Sequence, residues 1–135
     1  FDYVFGLDIN EDKLIDIINN KNTEGTYAFS RGLFYFKKPV IIVSSDHASH
    51  GRTMIYGSGI SNTFFAGDFV LKDNIEIRDI SFNNSNVSIT DNVTLRGIEF
   101  EDSTIILSNV SMLTMTECIF RNCKINTVFK NFQEI

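Results

Sequence analysis

Apolar and polar residues alternate in short runs through the second half of the chain. Within residues 74–91 the apolar residues form three pairs, each with one polar residue between its members: Ile75 and Ile77, Ile80 and Phe82, and Val87 and Ile89. Alternation with a period of two is typical of a β-strand that buries one face. The alternation breaks between the pairs, so the pattern predicts three short strands separated by corners.

This pattern recurs along the chain. Residues 92–109 align with residues 74–91 without a gap, and residues 112–127 form a third copy after two extra residues, departing from the apolar pattern only at Thr127. Regular repetition of this kind is typical of a solenoid, in which stacked coils bury a shared core. Three short strands in each coil predict an all-β fold, the single-stranded parallel β-helix, with about 18 to 20 residues per coil.

Stacked coils would place equivalent residues in columns about 4.8 Å apart. The inward Phe82, Phe100 and Phe120 would form an aromatic stack. The small residues Ser85, Ser103 and Cys123 would form a column at a tight corner. The Asp-Asn pairs at 73–74 and 91–92 are predicted to occupy matching turns, which these residues tolerate well. The columns that point outward are Glu76, Thr94 and Thr114; Arg78, Arg96 and Thr116; Asp79, Gly97 and Glu117; and Ser81, Glu99 and Ile119.

The first half of the chain is less regular. Residues 10–20 predict an amphipathic helix, in which Asn10 caps the N-terminus and an apolar face packs against the first coil. Short β-type segments follow at 26–29, 33–36, 40–43 and 53–56. We therefore expect a single domain over residues 1–135, divided into the capping helix (10–20), irregular first coils (26–73) and regular coils (74–127), with a further strand at 129–135.

The order of these segments resembles the start of a pectin-lyase-like right-handed parallel β-helix of the bacteriophage tailspike or virion appendage type. The resemblance covers residues 10–127 and is carried by IYGSG at 55–59, which matches an I-x-G-x-G element before the regular coils, and by RGL at 31–33. It implies a virion or extracellular location, a homotrimer, and other virion proteins and a host surface glycan as partners. Enzymes of this family usually have more coils than the three or four that can be counted here, which argues against an intact catalytic cleft. The strand predicted at 129–135 would need a stacking partner beyond the chain, so we expect the chain to be part of a longer protein.

Composition and charge exclude several other classes. The net charge is -5, and no basic cluster is larger than Lys37-Lys38, so nucleic acid is not an expected partner. No apolar run approaches the roughly 18 residues that a membrane span requires. No cofactor motif is present. The two cysteines, Cys118 and Cys123, are too few for a disulfide framework or an ordinary zinc site.

Candidate catalytic residues are Glu99 and Glu117, which are predicted to lie one coil apart and two strand positions offset. Strand geometry places their backbones about 8 Å apart. An inverting glycosidase needs two carboxyl groups roughly 6.5–9.5 Å apart. The alternative is that both carboxylates are solvated surface groups that balance Arg78 and Arg96.

Other polar residues are candidates for ligand binding. Arg78, Arg96 and Asp79 lie in outward columns, where a ligand could reach them. Asp46, His47 and His50 have the residue types of a metal or general-base site, but in a Ser-rich loop they are also consistent with solvated side chains, and we predict no metal site. Cys118 is predicted to be a small buried apolar residue, with a Cys118–Cys123 disulfide as the alternative. Tyr27, Tyr35 and Tyr56 could stack on sugar rings, with packing in the core or between subunits as the alternative.

Three functions are consistent with these patterns. The first is a virion appendage segment, from a tailspike or tail fibre, that contacts host surface polysaccharide. The second is a polysaccharide-degrading enzyme, a hydrolase or lyase, that uses carboxylates on an outer face; we expect this activity to be absent from the segment itself. The third is a structural decoration protein without a ligand.

Overall fold

The computed structural model describes residues 3–6, 12, 14–15, 25–43 and 53–128. The strands within these ranges are β1 (Tyr3–Phe5), β2 (Thr26–Phe29), β3 (Gly32–Tyr35), β4 (Val40–Val43), β5 (Thr53–Tyr56), β6 (Thr63–Ala66), β7 (Asp68–Lys72), β8 (Ile75–Asn83), β9 (Asn86–Glu101), β10 (Thr104–Thr116), β11 (Ile119–Arg121) and β12 (Lys124–Val128). All strand pairs among the described residues are parallel, and they form a β-solenoid of about 5 turns. The predicted parallel β-helix is therefore confirmed.

The coils have three faces, because the long strands bend through corners and contribute to more than one face. Face A contains β1, β2, β5, residues 75–78, 93–96 and 112–116. Face B contains β3, β6, residues 80–83 and 98–101, and β11. Face C contains β4, β7, residues 86–89 and 104–108, and β12.

The register between coils follows the predicted repeat. Ile75 pairs with Val93, and Phe82 pairs with Phe100, as the gapless alignment requires. The two extra residues before the third copy are accommodated by register shifts between Leu107 and Met112, after which the pairing returns to the predicted columns. A β-bulge absorbs added residues in this way without displacing the inward side chains that follow it.

The core lies inside the coils, and it includes the predicted inward ladders together with apolar residues of the first coils. Phe82 and Phe100 are 0% exposed, and their rings stack at 5.3 Å with an interplanar angle of 13°. Phe100 stacks in the same way on Phe120 at 5.2 Å. The first coils also contain edge-to-face ring contacts, as between Phe34 and Phe65. Complete burial of a Phe side chain contributes about 1.5–3 kcal/mol to the free energy of unfolding.

Corners are made by single residues with left-handed backbone. At the corner between faces A and B these are Asp79 (φ 60), Gly97 (φ 63) and Glu117 (φ 55), and at the corner between faces B and C they are Asn84, Asp102 and Asn122. The predicted Asp-Asn turns also have positive φ at Asp73, Asn74 and Asp91. Asn and Asp tolerate this conformation because their short side chains bond locally to the backbone. This tolerance explains why the repeat has so many of them.

The small-residue column closes the corner between faces B and C with hydrogen bonds from coil to coil. The Gly67 N–H donates to Ser85 Oγ at 3.2 Å, and the Ser85 N–H donates to Ser103 Oγ at 3.1 Å. Each hydroxyl is within 2.8 Å of a carbonyl two residues before it, on Asn83 and Glu101. The predicted column therefore satisfies backbone groups that the corner would otherwise leave buried and unpaired.

The predicted capping helix is not supported. Most of residues 10–20 lie outside the described ranges, and the three that are described, Asp12, Leu14 and Ile15, are too few to establish a helix. Leu14 and Ile15 are nevertheless 2% and 7% exposed and belong to the hydrophobic core cluster. The apolar face predicted for this segment is thus buried at these two positions.

The last described coil is less covered than the coils before it. Phe120 is 38% exposed and Ile125 is 54% exposed, whereas their in-register neighbours Phe100 and Ile105 are 0% exposed. Within the described residues no strand pairs with the outer edge of this coil. The further strand predicted at 129–135 lies outside the described residues.

Candidate functional site

The candidate site is the outer surface of face A, which we define as two in-register columns of outward side chains. The first column is Met54, Glu76, Thr94 and Thr114, and the second is Tyr56, Arg78, Arg96 and Thr116. The strand alternation that buries Ile55, Ile77 and Leu95 between these positions turns the side chains of the two columns outward. A flat surface with one side chain per coil in each column results.

Arg78 is held in place from two sides. Its Nε donates to Glu76 Oε2, and its guanidinium carbon lies 5.5 Å from the ring centroid of Tyr56. The hydrogen bond to Glu76 raises the pKa of Arg78 above its usual value. The Glu76 carboxylate, which forms the ion pair with Arg78, belongs to a side chain that is only 8% exposed. Arg78 is therefore a positioned cation whose charge is already balanced.

Arg96 has a different environment, although it pairs in register with Arg78 on the next coil. Its side chain is exposed, and no hydrogen bond or ion pair joins it to another residue in the described ranges. Two acidic residues are equally near by register, Asp79 after Arg78 and Glu117 after Thr116, and neither forms an ion pair with Arg96. Arg96 is thus an exposed guanidinium on face A that forms no ion pair with another described residue.

Asp79, the third predicted ligand-binding residue, lies at the corner next to Arg78. It is exposed, and its Oδ1 lies 2.7 Å from where a Cβ on Gly97 would be. Its carboxylate therefore occupies the space that the absent side chain of Gly97 leaves. The fold brings Arg78, Arg96 and Asp79 to one edge of face A.

The two predicted catalytic glutamates lie on neighbouring coils, one on a strand and one at a corner. Glu99 is on the outer side of face B, in register with Ile119, and its Oε1 lies 3.3 Å from Arg121 Nε. Glu117 is exposed at the corner with positive φ, two residues before Ile119. The predicted offset of one coil and two positions is present. A catalytic role for the pair stays a prediction, and the Arg121 ion pair occupies one of the two carboxylates.

Not every predicted outward residue is exposed. Ser81 is 1% exposed because the preceding loop covers it, and its hydroxyl donates to the Ile60 carbonyl. Glu76 is 7% exposed because it packs with Arg78. Alternation correctly assigned the side of the strand on which these residues lie, but it carries no information about loops that fold over that side.

The tyrosines Tyr27 and Tyr35 differ in how much of the side chain is exposed. Tyr27 is 2% exposed and packs in the core, whereas Tyr35 on face B is 61% exposed. Tyr35 lies beside Leu33, which is 55% exposed, and Leu33 pairs with Phe64 on the next coil. This apolar outer patch was missed by the sequence analysis. The run LFYF at 33–36 could have indicated the patch, because the residues on both sides of this strand are apolar or aromatic.

Both cysteines are free thiols, so the alternative of a disulfide between them is not realised. Cys118 packs against the core, and its Sγ lies 3.6 Å from the Leu95 carbonyl oxygen. Burial raises the pKa of the Cys118 thiol. Cys123 continues the small-residue corner column, with Sγ 3.2 Å from the Phe100 carbonyl oxygen.

Other candidate sites are limited. Asp46, His47 and His50 lie outside the described residues, and the described residues contain no group of three metal-ligating side chains. A shallow depression of about 260 Å³ lies at the corner between the last two coils, lined by Asp102, Ser103, Thr104, Asn122, Cys123 and Lys124. No helix in the described ranges has the length and apolar character needed to cross a membrane.

No protein-family model, no curated protein and no solved structure matches this chain.

Proposed function

We propose that this chain is a segment of a virion appendage, of the tailspike or tail-fibre type, that contacts host surface polysaccharide through the outer surface of face A. The observation that carries the proposal is the pair of in-register columns on that surface. Polar groups lie there on four successive coils: the hydroxyls of Tyr56, Thr94, Thr114 and Thr116, the carboxylate of Glu76, and the guanidinium groups of Arg78 and Arg96. With coils about 4.8 Å apart, the first and last groups are about 14 Å apart.

Such a surface suits a chain of sugars for physical reasons. Sugar hydroxyls both donate and accept hydrogen bonds, as do the hydroxyls of Thr94, Thr114 and Thr116. The backbone under these residues is held by the stacked core, so the groups are ordered before a ligand arrives and little entropy is lost on binding. Because the fold depends on the inward ladders and the corner residues, the other outward residues can vary with the ligand.

The proposal places the chain in a right-handed, pectin-lyase-like β-helix that assembles as a homotrimer outside the cell, with other virion proteins as neighbours. The apolar outer patch of Leu33, Tyr35 and Phe64 supports lateral packing between subunits. Two of these side chains are more than half exposed, and exposed apolar patches commonly mark protein–protein contacts.

The experiment is a binding assay of the full 135-residue chain on a panel of bacterial capsular and O-antigen polysaccharides. We expect binding to at least one, and a loss of at least tenfold in affinity for Thr114→Trp, which places a bulky ring in face A. The matched control is Thr104→Trp on face C, which we expect to bind normally. Binding to no polysaccharide, or equal loss in both variants, would contradict the proposal.

The same incubation separates the enzymatic alternative. Release of reducing ends or unsaturated sugars, abolished by Glu99→Gln or Glu117→Gln, would identify a polysaccharide-degrading enzyme. We expect binding without product release. If the chain neither binds polysaccharide nor releases product, the remaining function is that of a structural decoration protein.

A further inference from the structure

The outer surface of face B changes in charge from the first coil to the last. On the first coil, the exposed Arg31 and Lys37 lie just beyond the two ends of β3, on either side of the exposed Leu33 and Tyr35. The last two coils carry four acidic residues and one basic residue at the equivalent places: Glu99, Glu101, Asp102, Glu117 and Arg121. Face B therefore has a basic, apolar end and an acidic end, which lie about 19 Å apart across five coils.

We infer that face B binds a second copy of this chain that runs in the opposite direction, related by a two-fold axis at the middle coil. The apolar patch of the first coil is then covered by the last coil of the second copy. The inference goes beyond the proposed function, because an antiparallel pair is not part of a parallel three-fold assembly. Such an assembly would use faces other than B.

The register of face B determines which residues meet in this pair. One outward column contains Leu33, Phe64, Ser81, Glu99 and Ile119. The column beside it begins at Tyr35 and ends at Arg121. A two-fold axis that lies along the strands of the middle coil exchanges the first coil with the fifth and preserves the position along the strand. Leu33 therefore faces Ile119 of the second copy, and Tyr35 faces Arg121.

Both of these contacts are favourable. Leu33 is 55% exposed and Ile119 is 40% exposed, so their contact removes apolar surface from water. The Arg121 side chain is 63% exposed, and its Nε lies 3.3 Å from Glu99 Oε1, which orients the guanidinium. A guanidinium over the ring of Tyr35 is attracted by the negative face of the aromatic system.

Opposite charges meet at the corner between faces A and B. Arg31 lies two residues before Leu33, and Glu117 lies two residues before Ile119, so the same axis places them opposite each other. Both are exposed. Because a two-fold interface uses the same surface on both copies, each pair of residues forms twice.

A parallel pair through face B would be unfavourable. A two-fold axis parallel to the solenoid would place Arg31 opposite Lys37 and would bring the acidic residues of the two copies together at the other end, where like charges repel. The antiparallel pair avoids both contacts. It also places the loop at 57–62, which covers Ser81, opposite Gly97 of the second copy, which has no side chain.

The size of face B sets the strength of the contact. Five coils about 4.8 Å apart and strands of four residues give a surface of about 24 by 13 Å. A stable interface covers about 800 Å² on each partner, so this one is expected to be reversible. We expect a dissociation constant on the order of 10–100 μM.

The first measurement is sedimentation equilibrium of the full 135-residue chain between about 1 and 500 μM. We expect a monomer in equilibrium with a dimer. Leu33→Glu and Ile119→Glu, at opposite ends of face B, should each weaken the dimer at least tenfold. The matched control is Val4→Glu, which changes an aliphatic residue that is 74% exposed on face A and should leave the dimer unaffected.

Charge reversal tests the direction of the second copy. Arg31→Glu places two acidic residues opposite each other, Glu117→Arg places two basic residues opposite each other, and each variant alone should dimerise at least tenfold more weakly. An equimolar mixture of the two variants should recover the dimer, because every facing pair then has opposite charges. Recovery in the mixture also shows that both variants are folded.

The outcomes separate this inference from the proposed function. A chain that stays monomeric at the highest concentration, a trimer that Leu33→Glu dissociates, or a mixture that does not recover the dimer would each overturn the inference. Equal weakening by Val4→Glu would overturn it as well, because the contact would not be specific to face B. Polysaccharide binding through face A is measured independently in every case.

Discussion

Gly97 shows how much a single position in the repeat is constrained by its neighbour. It shares its column with Asp79 and Glu117, and all three have left-handed backbone. The conformation alone does not require glycine, since Asp and Glu adopt it in the same column. A Cβ on Gly97 would lie 2.7 Å from Asp79 Oδ1, so the Asp79 side chain would have to move to admit a larger residue.

We predict that Gly97→Ala lowers the free energy of unfolding by about 1–2 kcal/mol, from left-handed backbone strain and the contact with Asp79. Urea denaturation gives this value. In an Asp79→Ala background the loss should be smaller, because the carboxylate oxygen is gone, and a double-mutant cycle isolates that difference. Additive effects of the two substitutions would show that the contact is unimportant.

At the scale of the elements, the corner between faces B and C depends on a ladder of side chains that connects successive coils. Ser103 is 4% exposed, and its hydroxyl accepts the N–H of Ser85 from the preceding coil. A buried N–H without a partner is more costly than the hydrogen bond is favourable. The ladder therefore explains why a small hydroxyl residue recurs at this corner.

We predict that Ser103→Ala lowers the free energy of unfolding by about 1–3 kcal/mol, because it leaves the Ser85 N–H unpaired. The control is Ser88→Ala, the same change on the outer side of face C, for which we expect less than about 0.5 kcal/mol. Thermal and urea unfolding of both variants measure the difference. A similar small loss in both would mean that water replaces the hydroxyl.

At the scale of the whole molecule, each coil is stabilised by the coils on both sides. Phe100 lies between Phe82 and Phe120 in the stack, whereas Phe120 has Phe100 on one side and is 38% exposed. A solenoid has interactions only between neighbouring coils, so a coil at the end has about half of them. The last described coil is expected to be the least stable.

We predict that Phe100→Ala destabilises the chain by about 3–5 kcal/mol, whereas Phe120→Ala costs less than half of that. Guanidinium denaturation of both variants provides the comparison. Equal losses would show that Phe120 is as well covered in solution as Phe100, and would contradict the open end seen in the last described coil.

Much of this architecture could be predicted because the same physical requirement is repeated. Ile75, Val93 and Leu113 are apolar at one position of each copy, since each must fill the same place in the core. The repeat therefore predicted the register and the Phe stack. The candidate site was predicted only in part, because the column of Arg78 and Arg96 follows from register, whereas the Glu76–Arg78 bond and the cover over Ser81 depend on single side chains and loops.

The sequence by itself determined the coils, their register and the side of each strand on which a residue lies, because a period of two and a repeat of eighteen residues admit few other arrangements. Tertiary structure alone decided which outward residues are available to a ligand. Two arginines with the same place in the repeat differ because Glu76 lies within reach of Arg78, and Thr94 replaces it beside Arg96. That difference depends on side-chain contacts within and between coils, which hydrophobic periodicity does not record.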